Sequence, residues 1–337
     1  MSSLQLKLNQ ATISLIVSSD KKINTLIMIK QILLSTIVFV FFSFLVINTS
    51  SCSKERVESQ DELNSYEPID DYLNEKKEDE QEFVIDTSGT GPIIGHDSTQ
   101  IWISKELLMF PDSSDVDWPF TVKLVELYSA KEMIYYQMPT VSQGKIMETD
   151  GEIRVRAFKQ DSTGVWQELL LKVDRTLRVD MPSDSIRENM EVFYGSGTDE
   201  NPDWTTNVTS LGGNSGDLEF FSTSTGYMAH IGKLGWINCG KTHLGSNDLT
   251  FTSATDHLEN TGIFTYIPKY QSVLQARDLH SGGIPDSSDV KIVVMARNSS
   301  NELYSSYLQS TINSDGSVPI ILEPISDAQL TSILDNL

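Results

Sequence analysis

From residue 89 onward, short runs rich in Val, Ile, Leu, Phe and Trp recur at roughly ten-residue spacing, with Gly, Asn, Asp, Ser and Pro between them. That rhythm constrains the fold more than any other feature. A strand with one buried face alternates in polarity, and Phe120–Leu127 (FTVKLVEL) and Glu152–Phe158 (EIRVRAF) both do. Thr99–Ile103, Val165–Val173, Leu177–Val179, Leu218–Phe221 and Gly226–Ile231 are further strand candidates. Leu249–Thr252, Phe264–Ile267, Val290–Ala296 and Val318–Leu322 complete the set. Segments such as QDSTG, LGGNSGD and NSDGS supply turn chemistry between them. The connections are too short for crossover helices, so the expected class is mainly β, with two antiparallel β-sandwich domains. A short C-terminal helix is expected to start at Ser326, whose hydroxyl caps it, with Asp327 at the positive end of its dipole.

The N-terminus reads differently. Ile32 to Ile47 is apolar apart from Ser35, Thr36 and Ser43. As a helix it would span roughly 24 Å, short of the roughly 30 Å hydrocarbon core, which fits a signal segment better than a membrane span. Lys30 precedes it, and the small residues Thr49, Ser50 and Ser51 lead to Cys52. Between Ser53 and Glu82 twelve acidic residues face four basic ones, and the apolar residues stand singly. Such a stretch is expected to be an extended, disordered tether.

The layout ending at Cys52 resembles the lipobox of bacterial lipoproteins, departing from it at Thr49, where leucine is usual. The resemblance implies cleavage between Ser51 and Cys52 and a diacylglycerol and acyl anchor on Cys52. Ser53 in place of aspartate implies delivery to the outer membrane, facing the periplasm or the cell surface. Met28 opens a signal peptide of ordinary length, so residues 1–27 are expected to be an extension ahead of the true start. The expected order is therefore 28–51 signal peptide, 52–88 lipidated cysteine and acidic tether, 89–182 first sandwich, and 183–337 second sandwich with its helix.

A formal charge of −22 disfavours nucleic acid and anionic lipid surfaces as partners. Cys52 and Cys239 are too few for a disulfide framework.

Thr99–Ile103, Glu126, Lys131–Ile134, Thr140, the stretch from Gly144 to Gly151 and the strand to Phe158 stand in a recurring order. Met190–Gly195 and Leu234–Cys239, which includes Gly235, Trp236 and Asn238, add two more blocks. Together they resemble the ZU5-type β-sandwich of Bacteroidetes cell-envelope lipoproteins. The last block departs at Gly240, where that resemblance implies aspartate. It implies a scaffolding or binding role and no catalytic residues.

Reactive constellations are sparse. Cys239 as a nucleophile needs a base, and His230 and His243 are near in sequence. The preferred reading is structural: Trp236 and Ile237 plug a core and Asn238 caps a turn. His96, His230, His243, His257 and His280 lack zinc-ligand spacing. Asp112, Asp115 and Asp117, and Asp199, Glu200 and Asp203, offer hard oxygens that suit Ca²⁺, without an EF-hand pattern. PDSSDV occurs at 111–116 and again at 285–290, and turn chemistry accounts for both copies. The expected function is a non-enzymatic, lipid-anchored envelope module, structural or protein-binding, that needs no cofactor beyond its covalent lipid, Ca²⁺ being the one ion its oxygens would suit. The alternatives are a glycan- or ligand-binding accessory protein, with Trp204, Tyr227 and Trp236 exposed on one sheet face, and a hydrolase.

Overall fold

The computed structural model describes residues 63–87, 91–198 and 201–337. The expected start at Met28, the signal segment and the Ser51–Cys52 cleavage site lie outside the described residues, as do Asp199 and Glu200.

The chain first forms helix α1 (Asp70–Glu75), then strands β1 (Gln81–Ile85), β2 (Ile93–Ile94), β3 (Gln100–Trp102), β4 (Leu108–Met109) and β5 (Phe120–Leu127). Helix α2 (Ala130–Tyr136) follows, and after it β6 (Val141–Ser142) and the 16-residue β7 (Lys145–Gln160). Next come β8 (Trp166–Glu168), β9 (Leu170–Leu171), β10 (Leu177–Pro182), β11 (Glu191–Thr198) and β12 (Asn201–Thr205). Strands β13 (Phe221–Ser222), β14 (Gly226–Ile231) and β15 (Gly235–His243) close the first module. The second holds β16 (Leu249–Thr252), β17 (Gly262–Ile267), β18 (Ser272–Gln275), β19 (Ser288–Arg297), β20 (Leu303–Ile312), β21 (Gly316–Pro319) and β22 (Glu323–Ile325). Helix α3 (Asp327–Asp335) ends the chain.

The architecture is mainly β and largely antiparallel, as the rhythm of the sequence requires. One sheet runs β1-β5-β7-β15-β11-β12, with β6 and β8 added to β7. A second runs β13-β14-β10-β3-β2 and faces it. Val122, Leu124, Ile153, Val155 and Ile237 of the first sheet meet Ile101, Val179, Ala229 and Ile231 of the second. In the second module the sheet β18-β17-β19-β20-β22 packs one face against the pair β16-β21, whose two strands are parallel. The opposite face of this sheet and the back of β5 and β7 share a third core with the three helices, through Leu73, Leu127, Ile134, Val293 and Leu330.

Local chemistry sets the helices. In α2, Ser129 and Glu132 form a reciprocal capping box, and Gln137 closes the end in the left-handed region at φ 54°. In α3, Ser326 caps as the sequence indicates, completed by Gln329.

Two expectations need correction. The boundary at 182/183 does not separate two sandwiches. β10 pairs with β14 and β7 pairs with β15, so strands from both sides of that point close one sandwich from 81 to 243. The acidic tether also does not reach residue 88. From residue 63 it is built into the fold: Asn64 N bonds Thr255 O, Glu67 N bonds Arg297 O, and β1 is the edge strand beside β5. Tyr66, Ile69, Tyr72 and Leu73 make no face of their own, yet each is buried against side chains distant in sequence. The acidity is offset by partners: Glu80 takes Arg154 at 2.9 Å and Arg156 at 2.6 Å, from β7.

The two PDSSDV turns share a left-handed third residue, and the second runs directly into β19. Ser113 and Ser287, third in each, adopt φ 69° and 56°, and Val116 and Val290, last in each, are buried.

Candidate functional site

The sheet β13-β14-β10-β3-β2 buries one face and presents the other. Strand alternation points Leu177, Val179 and Met181 inward and Arg178 and Asp180 outward. Pairing register sets Ile94, Gln100, Asp180, Met228 and Phe221 in one row across the five strands, about 19 Å wide at ~4.8 Å per strand. The next row holds Trp102, Arg178 and His230.

This outward face carries unusually apolar side chains. Ile94 is 58% exposed, Phe221 55% and Trp102 36%. At the centre Arg178 grips Asp180 with two parallel bonds, 2.8 and 2.7 Å, and its guanidinium lies 5.0 Å from the Trp102 ring. A forked pair of this kind is geometrically specific, and the guanidinium's flat face fixes the indole. At one edge His230 meets Asp217 at 3.0 Å.

Those residues singled out from the sequence that fall among the described residues each have a definite place. Trp204 and Tyr227 are fully buried, and the Trp204 indole nitrogen donates to Pro139 O at 3.0 Å. Trp236 is half-buried, between the Arg154 guanidinium and the edge of Tyr136. These three aromatics therefore do not line an exposed face. Thr140 joins the two modules: its hydroxyl meets Ser272 Oγ at 2.7 Å and accepts from Val273 N at 2.8 Å. Gly151, at φ 134°, leaves room for the Tyr128 ring, and a Cβ on Gly195 would fall 2.6 Å from Trp236 Cβ. Gly235 adopts φ 126° at the start of β15.

Asn238 does not cap a turn. It sits mid-strand in β15, where its amide donates to Glu152 Oε1 at 2.9 Å and its oxygen accepts from Thr149 at 3.1 Å. Glu152 is fully buried, and burial holds its carboxyl well above the ordinary carboxylate range. Its Oε2 finds no partner among the described residues. The register shifts between Asn238 and Gly240, where a β-bulge sets Asp150 and Gly151 of β7 opposite the single residue Cys239. A Cβ at Gly240 would lie 2.5 Å from Asn238 Oδ1 and 3.0 Å from Glu148 O, so only glycine fits where aspartate was expected.

Sequence neighbours do not assemble around Cys239. The thiol is completely buried in the sandwich core, and burial pushes it far up. His230 faces outward to Asp217, and His243 turns to Glu148 at 2.8 Å and stacks on Tyr270. A thiol held neutral and out of reach cannot act as a nucleophile. The three aspartates expected to offer calcium oxygens are engaged separately. Asp112 accepts from Ser114 in its own turn, Asp115 pairs with Lys172 at 2.6 Å, and Asp117 pairs with Lys105 at 3.7 Å. Among the described residues no group of three or more His, Cys, Asp or Glu is arranged to hold a metal.

The outward sheet face was missed from sequence. Trp102 and Phe221 each stand in a run of two or three strand residues, too short to reveal which side faces solvent. Compared with family models, with curated proteins and with solved structures, the chain shows no significant match.

Proposed function

We propose that this chain is a lipid-anchored, non-catalytic protein-binding module of the cell envelope, with a ZU5-like sandwich held at the outer membrane through Cys52. One observation supports the binding role: a solvent-facing sheet surface on which Ile94, Trp102, Met228 and Phe221 surround the Arg178–Asp180 pair. Trp, Phe, Met and Arg are the residue types that protein interfaces favour, and this face carries neither Lys nor Glu. Isolated apolar side chains need no explanation, but here Met228 and Phe221 are neighbours in one row, with Ile94 and Trp102 on the other side of the ion pair. The anchor rests on the segment from Lys30 to Cys52.

The partner's chemistry follows from the setting. An apolar centre meets the four side chains, and a basic rim meets a chain of net charge −22. A glycan platform would draw on stacked open aromatics, and the burial of Trp204 and Tyr227 counts against it.

Two measurements test the reading. Intact mass and fractionation of wild type beside Cys52→Ala test the anchor: only wild type should carry lipid and remain with membranes. Native gels of solubilised envelope test the binding role. Wild type should run in a larger complex, and Trp102→Ser with Phe221→Ser should run alone. A complex that survives both substitutions, or retention on envelope polysaccharide instead, would sink the binding role.

A further inference from the structure

Away from that face, a cleft of about 290 Å³ opens where the two modules meet. This is near the lower end for small-molecule sites, so its occupant is a small molecule and not a polymer. Val141 and Ile146, from β6 and β7, meet Leu274 of β18 across it and make it apolar.

Its polar groups divide into satisfied acceptors and spare donors. Asp203 Oδ1 accepts the backbone N–H of Gln143 and of Trp204, both at 2.9 Å. Asp248 organises the loop beside the cleft. One of its oxygens meets His280 Nδ1 at 2.6 Å, and the other accepts from Gly282 N at 3.1 Å and Ser281 Oγ at 3.3 Å. Both carboxylates thus serve the protein's own donors. His280 donates from Nδ1 to Asp248, which leaves Nε2 with a lone pair as an acceptor. Arg277 gives one bond, from Nη2 to Pro202 O at 3.2 Å across the junction, and has no carboxylate partner among the described residues. Of the six other described arginines, 154, 156, 178, 187 and 297 each sit against a carboxylate, and Arg175, exposed outside the cleft, does not. Gly144 and Gly282 also line the cleft, and a Cβ on either would meet open space.

An apolar wall beside a spare guanidinium selects an anionic head on an apolar body. We infer that this cleft binds a small carboxylic acid, its carboxylate against Arg277 and its hydrocarbon part against Val141, Ile146 and Leu274. Guanidinium and carboxylate match as two parallel bonds, a fit that the apolar wall denies to a bare inorganic anion.

The test is ligand-observed NMR and calorimetry on the purified full chain, using N-acetyl-leucine, 4-methylpentanoate, phenylpropanoate and the amide of each. Saturable binding of the acids is expected, at least tenfold weaker for the amides. Arg277→Gln should lose at least tenfold and Arg277→Lys less. Gly282→Asn, which asparagine's tolerance of φ 76° permits, should weaken binding by crowding the cleft while leaving the charges in place. Unchanged thermal midpoints establish that the variants are folded, and Gly282→Asn carries the test if Arg277→Gln is not. No saturable binding across the three acids, equal binding of acids and amides, equal binding of inorganic phosphate, or indifference to both substitutions would overturn the inference. Loss of the sheet-face complex would leave these results unchanged.

Discussion

Glu152 sets the clearest residue-scale expectation. Its carboxyl ionises near 4.5 in an unfolded chain but is held far higher by burial in the fold. Folding therefore takes up a proton, so its contribution is complete below pH 4.5 and declines as pH rises toward the folded value. Glu152→Gln keeps the shape and the bond from Asn238 to the side-chain oxygen while removing the charge. Thermal midpoints measured from pH 4 to pH 9 should show the variant gaining on wild type as pH rises. A gap that is constant with pH contradicts a protonated Glu152. Gly240 makes a second case. Gly240→Asp, the residue its resemblance calls for, drives a side chain onto Asn238 Oδ1 and Glu148 O, and should cost about 2 kcal/mol or more in urea unfolding. A neutral effect would mean that the bulge rearranges freely. At this scale the sequence carries the buried Thr140 and the tight glycines as recognisable signals, but not the Glu152–Asn238 pair. Those two residues are 86 positions apart, and a glutamate in an alternating strand reads as solvent-facing until its neighbours are known.

The elements that alternate cleanly were legible. The run Phe120–Leu127 is β5, Gly226–Ile231 is β14 and Leu249–Thr252 is β16, each with the same limits in both readings. Their turns and hydrophobic period are local properties. The segment from 63 to 87 was not legible, because what orders it is remote: Leu73 and Ile69 enter a core built from β5, β17, β19 and α3. Charge density marks such a stretch as a tether, and the arginines that relieve it lie on β7. Leu73→Ala should cost about 2 to 5 kcal/mol of global stability, as for a core leucine. A free tether would register nothing, so an unchanged denaturation midpoint contradicts the structure of this segment. β20 and the length of β15 were also unseen. β20 buries only Ser305 and Ile312, and β15 begins in a glycine-bearing block that reads as a loop.

At the scale of the whole molecule, alternating layers explain why one sheet face is left open. The long first-module sheet is covered on both sides, by the β13-β14-β10-β3-β2 sheet and by the helices. The second-module sheet is likewise covered on both sides. Among the described residues the five-stranded sheet of the first module is covered on one side only, and the exposed Ile94, Trp102 and Phe221 stand on the other. A net charge of −22 adds a long-range term. Association with a basic-rimmed partner should slow as salt rises from 50 to about 300 mM, with dissociation changing less. Surface-bound binding kinetics measure this, and salt-independent association would contradict the charge argument.

The most direct measurement is site-specific photo-crosslinking in the intact envelope, with the reactive group placed at Phe221 on the open face and, for comparison, at the exposed Tyr307 on β20. The expected result is a discrete protein adduct from position 221, lost when Trp102→Ala is added, and none from position 307. No adduct at 221, or the same adducts at both positions regardless of Trp102, would contradict the assignment of this face as a protein-binding surface.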